Sequence, residues 1–178
     1  MPIRTLRLVP ALLLAFAAGL AALFAVAQQP LEAAPPPARV FDPVAFFSGQ
    51  TEGRGVLKKA LSAKQNTYVT GTGTLRVDGH LIIDQVVKID GEKTQARRWQ
   101  LHEVKPGNYS GTISDAKGPV TAAVAGNQLH IQYKMKDGGM SVSQVLTMAP
   151  DGRSVHNAMK IRKFGIVFAT MEETIRKL

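Results

Sequence analysis

From residue 78 onward the chain is punctuated at a steady interval by residues that tolerate a left-handed backbone. Asp78-Gly79, Asp90-Gly91, Pro106-Gly107-Asn108, Gly126-Asn127, Asp137-Gly138-Gly139 and Asp151-Gly152 each read as a tight turn. The short runs between them are rich in Val, Ile, Thr and Tyr, the residues of strands. Within these runs apolar and polar side chains alternate. Trp99 and Leu101 oppose Arg98, Gln100 and His102, while Tyr109, Gly111 and Ile113 share one side. Leu129, Ile131, Tyr133 and Met135 alternate with His130, Gln132, Lys134 and Lys136. Met140, Val142, Leu146 and Met148, then Val155, Met159 and Ile161, continue the apolar face. This rhythm belongs to a sheet wet on one side and packed on the other.

Short turns favour antiparallel pairing between chain neighbours. Such a meander forms a sandwich or a barrel, and closure removes its sticky edges. The pattern predicts an all-β, up-and-down barrel of roughly eight to ten strands, with helix only as a turn around Phe41 to Phe47. Gly71 and Gly73, alternating with Thr72 and Thr74, suit a sharp strand bend at a barrel corner. A phosphate loop would need a third glycine and a following helix, which this segment lacks. Aromatics make up only 6% of the chain, so the core must be built mainly from Val, Ile, Leu and Met.

The N-terminus reads as an export signal. Arg4 and Arg7 precede an almost uncharged stretch from Leu8 to Ala27, which ends in the small-x-small triplet Ala25-Val26-Ala27. Residues 1–27 are expected to be a signal peptide that directs the body to the periplasm. An uncleaved membrane anchor is the alternative, since the apolar run is about long enough for one span. Residues 28–39, with Pro30 and Pro35-Pro36-Pro37, read as a stiff linker, leaving 40–178 as a single barrel domain. The chain has no cysteine, which removes disulfides, thiolate metal sites and a lipoprotein anchor from consideration.

The formal charge is +9, of which Arg4 and Arg7 lie in the leader. A basic body of this kind meets phosphates, lipid headgroups or acidic glycans, or is simply well solvated. The cations are scattered along strands, apart from short clusters such as Lys58-Lys59 and Arg97-Arg98. Nucleic acid is not an expected partner, and a monomer is expected.

No catalytic centre is legible. His80, His102, His130 and His156 are too widely separated for a local metal motif, and the last three fall on the polar face. There is no Gly-x-Ser-x-Gly elbow. Glu172-Glu173 reads as a charge pair split between the two faces of a strand, and the other acids sit mostly in turns. A hydrolase or isomerase would need an interior acid or histidine with a shifted pKa, and strand parity nominates none. Neither a metal nor a cofactor is expected. The polar residues of interest are Gln144 and Asn157, which fall among apolar neighbours on the inward face. A buried amide must be satisfied by a neighbouring strand or water, or line a cavity.

Several landmarks together resemble the bacterial domain-of-unknown-function family 3833. They are Phe46-Phe47-Ser48-Gly49, Gly53-Arg54-Gly55, Arg98-Trp99, Tyr109-Ser110-Gly111, Asp115 with Gly118, Gly126-Asn127, Tyr133, Asn157-Ala158-Met159 and Lys163-Phe164-Gly165. The likeness runs from about Phe41 to the C-terminus. It implies a lipocalin-like (calycin-type) barrel and envelope residence, with no reaction or catalytic residues to carry over. Relatives are often lipoproteins, and this chain departs from them in lacking the lipidated cysteine. It also reads Val56-Leu57-Lys58-Lys59-Ala60-Leu61 where relatives carry an Asp-Arg-x-Gly run.

The expected function is capture of a small apolar or amphipathic, lipid-like ligand inside the barrel, lined by Trp99, Tyr109, Tyr133, Met135, Gln144, Asn157 and Met159. The alternative is a filled barrel serving as a non-enzymatic envelope module, with a basic surface for anionic lipid or glycan.

Overall fold

The computed structural model describes residues 39–136 and 138–178. The leader expected over 1–27 and the linker over 28–39 lie outside these residues, apart from Arg39. One short helix, α1 (Pro43–Phe47), precedes the strands β1 (Gly49–Lys59), β2 (Lys64–Leu75), β3 (Leu81–Ile89), β4 (Gln95–Lys105) and β5 (Asn108–Ile113). They are followed by β6 (Val120–Ala125), β7 (Gln128–Lys134), β8 (Met140–Met148), β9 (Ser154–Lys163) and β10 (Ile166–Lys177). Every strand pairs antiparallel with its chain neighbours, and β10 returns to β1 to close the barrel. The seam runs from Thr51↔Lys177 to Lys59↔Ala169. All-β class and up-and-down closure are as the turn spacing implied, and the ten strands of the described residues reach the top of the expected range.

The alternation translates directly into burial. Leu129, Ile131 and Tyr133 on β7, with Val142, Gln144, Leu146 and Met148 on β8, point inward and are buried. Their neighbours in sequence face out. The core cluster consists of residues from Phe41 onward, and the closed sheet starts at Gly49. Among the described residues the closed sheet leaves no unpaired edge.

The two ends of the barrel differ. Turns β2–β3, β4–β5, β6–β7 and β8–β9 gather at the end occupied by α1, which plugs it. Asp42 caps the helix by accepting from Ala45 N at 2.9 Å, and Pro43 fills the first turn, where no amide hydrogen is needed. Phe41, Phe46 and Phe47 pack as a trio with ring centroids 4.9–6.5 Å apart. Lys177 Nζ, on the closing strand, donates to the carbonyls of Ala45, Phe46 and Ser48 at the helix C-terminus. At Gly73 the structure supplies a reason other than a bend. A Cβ there would stand 1.8 Å from the Phe47 carbonyl oxygen, so glycine is what lets the helix seat against β2. The remaining turns form an open rim at the other end.

Candidate functional site

A cavity of about 130 Å³ lies inside the barrel. Pro43 and Phe47 of the plug floor it, and Leu57, Val87, Ile89, Ile161 and Met171 carry its wall toward the rim. Ile89, Ile161 and Met171 are only half-buried, which marks the rim side as the mouth. Most of the wall is aliphatic because the inward parity of each strand is filled by Val, Leu, Ile and Met. Trp99, the sole tryptophan, forms part of it, donating from Nε1 to Gln85 Oε1 at 2.8 Å.

Against this apolar wall stands a polar cluster from three adjacent strands. Asn157 on β9 is 3% exposed, and its Nδ2 donates to Gln144 Oε1 on β8 at 3.2 Å and to Glu173 Oε2 on β10 at 3.1 Å. Glu173 itself is 5% exposed. Burial pushes its carboxyl above the ordinary value of 4.5, opposed by the Asn157 hydrogen bond and by the charge of Arg97. Asn157 Oδ1 and Glu173 Oε1 are buried with no hydrogen-bond partner among the described residues. Arg97, also in the cavity wall, pairs through Nε with Asp115 Oδ2 at 3.0 Å.

Glu173 corrects the reading that strand parity nominates no interior acid. The pair Glu172-Glu173 does divide between the faces, and Glu173 shares the inward parity of Ala169, Met171 and Ile175. The apolar character of the other inward residues hid it. Arg97 likewise shares the parity of Trp99 and Leu101, so the inner face is not purely apolar. The space for Glu173 comes from β1. A Cβ at Gly53 would meet Glu173 Oε1 at 2.2 Å, and one at Gly55 would meet Glu172 O at 2.5 Å and Glu173 Cβ at 2.9 Å. The Gly53-Arg54-Gly55 landmark is therefore a slot for a buried carboxyl.

Of the expected lining residues, Trp99, Gln144, Asn157 and Met159 come together around the cavity. Tyr133 stands behind the wall, packed edge-on against Trp99 at 5.8 Å, and burial pushes its phenol up to about 12. Tyr109 is half-buried against the core and does not line the cavity, because β5 is short and Tyr109 lies near its turn at the plugged end. Met135 lies past the end of β7 in a groove on the rim rather than inside. His80 and His102 do meet, with ring centroids 4.9 Å apart, and neither lines the cavity. Among the described residues no three His, Asp or Glu side chains are grouped to hold a metal.

Solved structures share the architecture at low identity. The S-type phycobiliprotein lyase CPES from Guillardia theta superposes with a TM-score of 0.61 at 6% identity, over 76% of this chain and 90% of that one. Rv2717c from M. tuberculosis matches with a TM-score of 0.56 at 12% identity, over 78% of this chain and 99% of that one. A protein of unknown function from the DUF3598 family of Nostoc punctiforme also gives 0.56 at 12% identity, over 83% of this chain and 53% of its own. At such identities the likeness establishes the fold alone, a lipocalin-like barrel. No curated protein matches the chain. Residues 20–177 match the family described as protein of unknown function DUF3833, and the chain belongs to that family.

Proposed function

We propose that this protein is an exported envelope protein that holds a small, mostly apolar molecule in its barrel, gripping one polar end of it at Glu173, Asn157 and Gln144. The observation that carries this reading is the buried polar cluster in the wall of an apolar cavity, whose Asn157 Oδ1 and Glu173 Oε1 have no hydrogen-bond partner among the described residues. Buried acceptors of this kind are normally satisfied, and a ligand hydroxyl, amide or amine hydrogen would satisfy them. The volume sets the scale. A cavity of about 130 Å³ is close to the ~150 Å³ apolar cavity that takes up a benzene-sized guest, so a single ring or a short acyl segment fits inside while the rest reaches the mouth. The leader-like residues 1–27 support export, and the ligand class fits a lipid or a lipid-derived amphiphile.

No histidine and no second carboxylate lines the cavity among the described residues, which favours anchoring over acid–base turnover as the role of Glu173. Trp99 in the cavity wall provides the assay. Protein isolated from the envelope and examined by native mass spectrometry should carry a small adduct. After delipidation, medium-chain alcohols, amides and amines should change Trp99 emission saturably, and Glu173→Ala should weaken the donor-headed ligands far more than a plain alkane. An adduct-free protein with no saturable response to any of these ligands refutes the reading.

A further inference from the structure

The rim carries a feature that a water-soluble barrel does not need. Phe164-Gly165-Ile166-Val167-Phe168, the β9–β10 hairpin tip, exposes all four of its large apolar side chains, with Phe164 at 87%. Leu61, on the neighbouring β1–β2 turn, is fully exposed, and Ala60 N donates to Phe168 O at 2.8 Å, which holds the two tips side by side. Leu61 and Phe164 are also the two non-glycine residues with positive φ among the described residues, at 60° and 52°. A bulky residue in that conformation is strained, and an exposed one gains nothing from packing. Two strained turns presenting unburied apolar groups at the same end of the barrel point outward to a partner.

Charge identifies the partner. Beside Phe164 and Gly165, the rim groove is lined by Lys117, Lys134, Lys136 and Arg162, and none of these four is in an ion pair among the described residues. The acids near the rim are engaged: Glu92 with Lys59, Asp115 with Arg97, and Asp90 with the Asn66 amides. The β7–β8 turn adds Asp137 in sequence, one acid between Lys136 and Gly138. Apolar tips framed by unpaired cations match a bilayer with anionic headgroups, which accepts the first into its acyl boundary and the second at its surface.

We infer that the rim formed by Leu61 and Phe164–Phe168 docks on an anionic lipid bilayer, turning the mouth of the barrel toward the membrane. The inference does not require the cavity to be occupied, so its failure would leave the ligand reading standing.

The chain from Gln28, which holds the whole barrel, would be sedimented with vesicles of phosphatidylglycerol and phosphatidylethanolamine, and with vesicles of phosphatidylcholine. Binding should be confined to the anionic vesicles and lost in about 0.5 M salt, where screening falls to a few ångströms. Phe164→Asp and Ile166→Asp should each weaken it about tenfold or more. Lys134→Ala and Arg162→Ala should weaken it about fivefold each. Val77→Asp, at an exposed apolar position on the plugged end, serves as the matched control and should leave binding unchanged. Circular dichroism melts would show that each variant is folded. Equal binding to neutral vesicles, or indifference to Phe164→Asp in a folded variant, overturns the inference. So does a dimer on sizing columns that Phe164→Asp dissolves without any vesicle binding, which would assign the patch to a second copy of the chain.

Discussion

Replacing Gly53 by alanine would place a methyl carbon 2.2 Å from Glu173 Oε1 and 2.9 Å from its Cδ. Normal contact needs about 3.5 Å, so the carboxyl must retreat by more than an ångström, and doing so breaks its 3.1 Å bond from Asn157. Overpacking of this kind costs about 1–3 kcal/mol. The lost hydrogen bond adds about 1 kcal/mol. Against this, Gly53 sits mid-strand without a positive φ, so alanine there regains about 0.5–1 kcal/mol of backbone entropy. The net expectation is a loss of about 1–3 kcal/mol. In a Glu173→Ala background the obstructing carboxyl is gone, and the same substitution should become neutral or stabilise by about 0.5 kcal/mol. Gly55→Ala behaves differently, because its Cβ meets the backbone oxygen of Glu172 and the Glu173 Cβ, which alanine retains. It should destabilise by about 2 kcal/mol in both backgrounds. Urea unfolding followed by Trp99 emission, run as a double-mutant cycle, measures all of these values. If Gly53→Ala is harmless in the wild type, or if its penalty survives removal of the Glu173 side chain, the glycine slot is not what houses the acid.

Four further expectations follow from the same geometry. Glu173→Gln should match the wild type in stability below pH 4.5, where the unfolded-state carboxyl is also protonated, and should gain on it as pH rises toward and through the raised folded-state pKa; an advantage that shrinks with pH would reverse the sign of the burial argument. Gly73→Ala drives a methyl into the Phe47 carbonyl, a backbone atom with nowhere to go, so a melting point lowered by several degrees and a loosened plug are expected, read by amide exchange at α1. Lys177→Met removes the ammonium that serves three carbonyls at the helix end and should cost about 1.5–3 kcal/mol in chemical denaturation. Met159→Phe, enlarging a side chain across from Gln144 in the cavity wall, should abolish ligand-induced changes in Trp99 emission while shifting stability by only about 1–2 kcal/mol.

Several turns, and the inside–outside assignment of the strands between them, were legible because a barrel wall imposes one alternating rule along each strand. Leu129, Ile131 and Tyr133 obey it, and so do the turns at Gly91, Gly107 and Gly126, all at positive φ. What escaped was what two elements do to each other. Gly53 and Glu173 lie at opposite ends of the domain in sequence, and only the β1–β10 seam brings them together, so neither residue alone announces a buried carboxyl. Gln144 and Asn157 could be flagged as inward amides, yet the second acceptor of Asn157 could not, since Glu173 sits beside an identical residue that faces solvent. Met135 and Tyr109 show the converse failure. Parity gave them the inward face, but position along the barrel decides whether an inward residue reaches the cavity, and parity is silent on height.

The closing strand concentrates several dependencies in one place. β10 supplies half of the seam, the buried Glu173, the Lys177 ammonium on the helix and the start of the apolar rim. During synthesis from the N-terminus, nine strands are in hand before it emerges, and until then β1 and β9 both present raw edges with the plug unfastened. Closure of the barrel is thereby timed to the arrival of β10. A chain stalled or clipped before β10 would lose closure, the buried carboxyl and the clasp on the helix in a single event, leaving two open sheet edges rather than a slightly weakened barrel.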